Sequence, residues 1–321
     1  MMNTVQNLRP QRTTISSKHP LGHDNLTLVI PTGQALHTKL AFFNRKRLLP
    51  TIPSDDWQND LDTEREFKVL EGQFLEQLRK DVIPELNLDF NSAEEFVSWF
   101  ASLEMKGYGQ HHPLFDWLAT DATAEQMRWF LTQEVAGEAG FDDLLAYTQV
   151  KLPVRPKLEF ARNYWDEMGR GKKGAMHGPL LERMVQLLDL QPDINHTVWP
   201  ALALNNTMVG LALNRRYAYH AIGALGVIEL TAPSRAKKVA AGMQRLGFSP
   251  HTYAYFDLHA VLDVIHARAW LSEVIQPLIE DNPSCAPFIA EGALMRLLCG
   301  QRCFNRYAQE LATPFATTNC S

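Results

Sequence analysis

The sequence predicts an all-α fold: a bundle of long helices behind an irregular N-terminal extension. Two observations predict it. From Asp60 onward the apolar residues fall at the three- and four-residue steps of a helix, as in Phe67, Leu70, Phe74 and Leu78, and this period persists almost to the C-terminus. Over the same stretch no alternation of apolar and polar residues runs long enough to make a strand, and no internal repeat or low-complexity tract interrupts the pattern.

Residues 1 to about 55 contain Pro10, Pro20, Pro31, Pro50 and Pro53, which break up short apolar runs such as Leu26 to Ile30. Long helices are not expected there. We therefore divide the chain into an extension, 1–58, and a helical domain, 59–321. Beyond the first helix, others are predicted near 92–105, 123–150, 156–169, 175–189, 198–230, 233–246 and 250–281. Asn91-Ser92-Ala93-Glu94-Glu95, Thr123-Ala124-Glu125 and Pro233-Ser234 look like helix starts, and Gly247 and the Pro153/Pro156 pair like stops. Long helices joined by short loops imply a bundle in which side chains from facing helices can converge.

At 321 residues the chain can bury a substantial core. Its net charge of −5 is spread out, with no block of Lys or Arg to follow a phosphate backbone, so nucleic acid is not the expected partner and a small-molecule substrate is. No apolar run approaches the ~20 residues that span a bilayer, and the N-terminus lacks an apolar segment before a cleavage site; a cytoplasmic protein with no membrane partner is expected. Cys285, Cys299, Cys303 and Cys320 come late and lack the spacing of a zinc knuckle or redox pair, which points to reduced, structural thiols.

The strongest local signal is His259, Asp263 and His266, four and then three residues apart. At about 100° per residue these steps stay within a ~60° arc, so the three side chains share one helix face. Their neighbours Leu258, Val261, Leu262 and Ile265 are apolar, which suggests that the face is buried. A buried Asp between two imidazoles needs compensation, and a divalent cation supplies it; core histidines satisfied by Asp263 are the plainer alternative. A second signal is Glu167 and His177. Ten residues of unbroken helix would hold them about 15 Å apart, but Gly169, Gly171 and Gly174 lie between them and can return both to one place. Glu229 closes the apolar run from Ile222, where a carboxylate is either a ligand or the point at which the helix emerges. Glu134 and Glu138 lie one turn apart on another helix; Glu134 is the first choice and Glu138 the reserve.

Together these segments resemble the haem-oxygenase-like di-iron oxidases and oxygenases, the iron-containing redox enzymes. The resemblance covers roughly residues 60–285 and rests on Asn163-Tyr-Trp-Asp-Glu-Met-Gly-Arg-Gly with His177, on Glu229 before Thr-Ala-Pro, and on His259-x3-Asp263-x2-His266. It implies a haem-oxygenase-like bundle in which Glu134, Glu167, His177, Glu229, His259, Asp263 and His266 hold two Fe(II) ions per chain, the last three anchoring the second ion. It further implies O2 as co-substrate, allows an external electron donor, and points to oxidation of a small molecule in biosynthesis, an amine or amino-acid-derived metabolite by N-oxygenation or oxidative C–C cleavage in preference to a fatty acid decarboxylated to a terminal alkene. Arg162, Arg215, Arg216, Tyr164 and Tyr217 are candidates to hold the substrate. A homodimer is allowed by this reading, as are a mononuclear or cofactor-independent oxidase on the same bundle and a non-enzymatic binding protein. No extension like residues 1–58 is known to us in the smaller relatives.

Overall fold

The computed structural model describes residues 33–53, 55–85 and 90–316. They form thirteen α-helices and, among the described residues, no strand. In order these are α1 (Gln34–Leu48), α2 (Trp57–Val82), α3 (Ala93–Lys106), α4 (Pro113–Thr120), α5 (Ala124–Ala136), α6 (Phe141–Thr148), α7 (Val154–Glu167), α8 (His177–Leu188), α9 (Trp199–Leu213), α10 (Ala218–Arg245), α11 (Pro250–Ala269), α12 (Gln276–Asp281) and α13 (Ala286–Glu310). The predicted starts at Ser92 and Thr123 cap their helices: Ser92 Oγ accepts from the Glu95 amide, and Thr123 makes a reciprocal capping box with Gln126.

Four expectations are corrected. Residues 34–48, expected to be irregular, form α1, because Pro31 and Pro50 flank this stretch and none lies within it. α1 belongs to the bundle: Leu36, Leu40 and Phe43 are buried, Asn44 Nδ2 donates to Asn206 Oδ1 at 2.8 Å, and Arg47 pairs with Glu71. The remainder of the extension, 1–32, lies outside the described residues, as does Cys320. Pro233-Ser234 does not start a helix; Pro233 sits inside α10, where it has no N–H to give the Glu229 carbonyl four residues back. The stretches 123–150 and 198–230 are each split, at Gly137–Gly140 and at Asn214–Tyr217. Finally, 250–281 passes from α11 through a π-helical turn, Trp270–Ile275, into α12.

α10 is the axis of the bundle, packed against α4, α9, α11 and α13. Its first half is largely apolar, and Ala221, Ile222, Ala224, Leu225 and Val227 are all buried, with the polar His220 and Glu229 buried among them. It crosses α13 with the backbones in contact. A Cβ on Gly223 would lie 1.9 Å from the Ile289 carbonyl oxygen, and one on Gly292 would lie 1.9 Å from that of His220. Side chains fill the space on either side of this crossing in two large buried clusters, one including Leu75, Phe96, Phe100 and Trp270 and the other Leu114, Phe130, Met184 and Tyr307. Cys285, Cys299 and Cys303 are free and buried in these layers. No described helix is long and apolar enough to cross a membrane.

The crossing yields a test of the packing. Gly223→Ala must push α10 off α13, and we expect it to destabilise the protein by about 1–3 kcal/mol or more, measured by urea or thermal unfolding. An unchanged midpoint would mean that the helices do not cross in this way.

Candidate metal centre

α7 ends at Glu167, and the next residues reverse the chain. Gly169, Arg170 and Gly171 have φ of 61°, 52° and 80°, the left-handed region that glycine adopts freely. At Gly169 there is also no room for a side chain, since a Cβ would lie 2.6 Å from the Ala175 carbonyl carbon. Arg170 accepts the cost of its backbone while its Nε donates to Asp166 Oδ1 at 2.6 Å. The outcome is that α8 starts at His177 with His177 Nδ1 2.9 Å from Glu167 Oε2.

α11 is turned the opposite way from an ordinary amphipathic helix. His259, Asp263 and His266 are buried, whereas the apolar neighbours expected to accompany them inward face out, with Val261 66% and Ile265 60% exposed. The shared face is set by helical spacing; what draws it inward is the set of partners waiting there.

Those partners form two groups of donor atoms, each within 4.8 Å of one another: Glu167, His177 and His259 in one, and Glu167, Asp263 and His266 in the other. Glu167 belongs to both. Its Oε2 is 2.9 Å from His177 Nδ1 and 3.5 Å from His259 Nε2, and its Oε1 is 3.9 Å from His266 Nδ1. The three residues of α11 are thus divided between the groups. Glu229, buried on α10, places Oε2 3.4 Å from His266 Nδ1, and its Oε1 accepts from Asn163 Nδ2 at 2.6 Å. Glu138 approaches from beyond the end of α5, with Oε1 3.6 Å from His177 Nε2. The structure does not bring Glu134 into this cluster; of the two carboxylates, the reserve, Glu138, is the one beside a cluster histidine.

Hydrogen bonds behind the cluster fix the imidazoles. His259 Nδ1 donates to the Tyr255 backbone carbonyl at 2.7 Å and His266 Nε2 to Asp166 Oδ2 at 3.2 Å, leaving His259 Nε2 and His266 Nδ1 turned to the centre. This is how metal-binding histidines are held. His266 Nδ1 and Asp263 Oδ1 are buried without a hydrogen-bond partner. Burial, and then the like charges of Glu229 and Glu167, push the Asp263 carboxyl well above the usual carboxylate range. Burial would also raise Glu167, but His177 and His259 hold it well below that range. Burial opposes charge on His177 and His266, yet Glu138 and Glu167 take His177 up to about 10, and Glu229 with Asp166 takes His266 up to about 9. Buried carboxylates here demand positive charge, and the donor set of imidazoles and carboxylates without thiolate fits ferrous or manganous ions.

Beside the cluster lies a cavity of about 180 Å³. Its walls are largely apolar, including Phe130, Phe141, Leu204, Met208 and Ile228, and Glu138, Glu167, His177, Glu229, His259 and Asp263 face it. Glu134 lines it too, together with Arg235, Arg296 and Tyr307, none of which the sequence singled out. None of the residues expected to hold a substrate lines the cavity: Arg162 pairs with Glu159, Arg215 donates to the Thr148 carbonyl, Arg216 and Tyr217 both bond Glu76, and Tyr164 packs into the core. An arginine in sequence carries no mark of whether it faces water or a cavity.

The fold and this cluster define a helical protein with a candidate metal centre, and sequence comparison supplies the family. The profile of the iron-containing redox enzymes matches residues 128–301, from within α5 into α13, and the chain belongs to that family, with its haem-oxygenase-like fold. No curated protein matches it in sequence. Among solved structures, two of a CADD-like protein of unknown function from Nostoc punctiforme are similar, each with a TM-score of 0.53. One is 17% identical over 68% of this chain and 98% of that one, the other 16% identical over 71% and 99%. This likeness is one of fold.

The pKa shifts give a pH dependence. His177 and His266 keep their protons up to about 10 and 9 in the fold against 6.5 as the ordinary value. Their contribution to the metal-free protein is therefore full below about pH 6.5 and lost as pH rises through 9 and 10. The lowered Glu167 contributes above its ordinary value of 4.5 and loses that contribution as pH falls. Metal-free protein should melt lower at pH 10 than at pH 7, and Fe(II) binding at pH 7 should release protons, read by calorimetry in buffers of different ionisation enthalpy. Binding without proton release would refute the protonated state of the metal-free site.

Proposed function

We propose that this chain is a non-haem di-iron oxidase or oxygenase that activates O2 to oxidise a small molecule, an amine or amino-acid-derived metabolite, by N-oxygenation or oxidative C–C cleavage. The observation that carries this reading is the placement of Glu167, whose two carboxylate oxygens face different groups of donors. One carboxylate shared in this way suits a bridge between two ions. On this reading Glu138, His177 and His259 would join Glu167 in holding one ion, and Glu229, Asp263 and His266 would join it in holding the other. Glu134, named with the ligands from the sequence, is left to the cavity.

When bound, a ferrous pair supplies two electrons and open coordination positions for O2. The chain's own residues do the rest. Asn163 holds Glu229 by its Oε1, leaving Oε2 for the centre. Asp166 and the Tyr255 carbonyl keep the protons of His266 and His259 on the nitrogens that face away. The apolar walls exclude water from the reacting substrate, and an external donor restores the electrons that turnover consumes. The preference for an amine or amino-acid-derived substrate rests on the family resemblance.

Anaerobic loading with Fe(II) followed by iron analysis tests the reading. Wild type should hold two ions per chain, Asp263→Ala/His266→Ala one, and Glu167→Ala fewer than one; on mixing with O2, only wild type should give a transient visible absorption. One ion in wild type supports a mononuclear oxidase instead, none supports a binding protein, and an undiminished iron content in Glu167→Ala would sink the bridging assignment.

A further inference from the structure

The cavity holds two positive charges that the metal centre does not use. Arg235 on α10 and Arg296 on α13 both line it, and among the described residues neither guanidinium has a carboxylate within ion-pair distance. Arg235 Nη2 donates to Thr231 Oγ1 at 3.3 Å, and its guanidinium lies 5.9 and 5.4 Å from the ring centroids of Phe115 and Phe304. Arg296 Nε is buried with no hydrogen-bond partner at all. Guanidinium groups that line a cavity with no carboxylate in ion-pair contact are expensive to keep, and a protein that keeps two of them there has a use for them.

Arg235 and Arg296 both stand on the side of the cavity where Glu134 lies, and Arg235 feels the charge of Asp263 as well. Arg235 follows Glu229 by six residues on α10, about 9 Å along the axis, and Glu134 is on α5 itself, four residues before Glu138. Glu134 feels the charge of both arginines, so the cationic end of the cavity holds two positive groups against one carboxylic acid. Burial, and next the like charge of Arg296, lowers Arg235 to about 9, a strain that an incoming anion would relieve. Between the two ends the walls are apolar, and at about 180 Å³ the space exceeds the ~150 Å³ cavity known to take benzene, so a ligand on the order of ten non-hydrogen atoms fits.

We propose that Arg235 and Arg296 bind the carboxylate of the substrate, a small organic acid with an apolar body whose opposite end lies at the metal centre. They act as positioning and specificity-determining residues: the planar forks fix the acid end, and the length of the cavity decides which carbon or nitrogen is presented for oxidation. The proposal deepens the di-iron reading and rests on it for the reaction, while the binding itself needs no metal.

The test compares matched ligands on metal-free full-length protein by calorimetry: hexanoate against hexanamide, and phenylacetate against phenylacetamide. Each acid should bind at least tenfold more tightly than its amide, and Arg235→Met or Arg296→Met should bring the acids down to the level of the amides. With no ligand, both variants should melt at or above the wild-type temperature, because an unpaired buried charge has been removed. Equal binding of acid and amide to wild type overturns the proposal, and so does an acid preference that survives in both variants. A lower melting temperature in both variants would make the arginines structural and overturn it as well. Iron content, measured in the same variants, should stay at the wild-type value; acid binding without iron would overturn the di-iron reading alone, and two irons without acid binding would overturn this proposal alone.

Discussion

The molecule is organised around the buried carboxylate of Glu167. A carboxylate taken out of water must be met by positive charge or by several donors, and here imidazoles from two other helices reach it. Satisfying it fixes the end of α7, the start of α8 and the rotation of α11. Because its two oxygens face different histidines, meeting the demand of one residue creates two adjoining sets of donors.

The surrounding architecture follows from that demand. α11 hides its polar residues and exposes Val261 and Ile265, an arrangement that would be unstable if the polar face met only hydrocarbon. α10 has to pass close enough to bring Glu229 to His266, and glycines at its crossing with α13 allow the backbones to touch. Pro233 leaves the carbonyl of Glu229 without its usual helical donor, so the turn carrying this carboxylate is also the turn where α10 is least tied to itself.

The cavity shows the same economy at its other wall. An interior built for stability alone would have filled it with side chains and put apolar residues at 235 and 296. Instead, space and unpaired charge lie beside a cluster of candidate metal ligands. Such departures from good packing cluster where a protein meets its ligand.

The sequence by itself determined what is local. Helical period from Asp60 onward is a property of neighbouring residues, and so is the common face of His259, Asp263 and His266; the glycines between Glu167 and His177 likewise announce a break, because few other residues adopt the left-handed backbone found at Gly169 and Gly171. Tertiary structure alone decided the rest. Prolines at 31 and 50 read as disruption until the stretch between them was seen packed on α2 and α9. Pro233 read as a helix start, though α10, packed among its neighbours, continues through it. Glu134 and Glu138 share a helical stripe in sequence, and only the direction of approach of α8 puts His177 beside one of them. Arg235 and Arg296 are sixty-one residues apart in sequence and meet around one cavity. A helix repeats its own period whatever surrounds it, but the value of a charge depends on which other charges, or how much water, the fold brings to it.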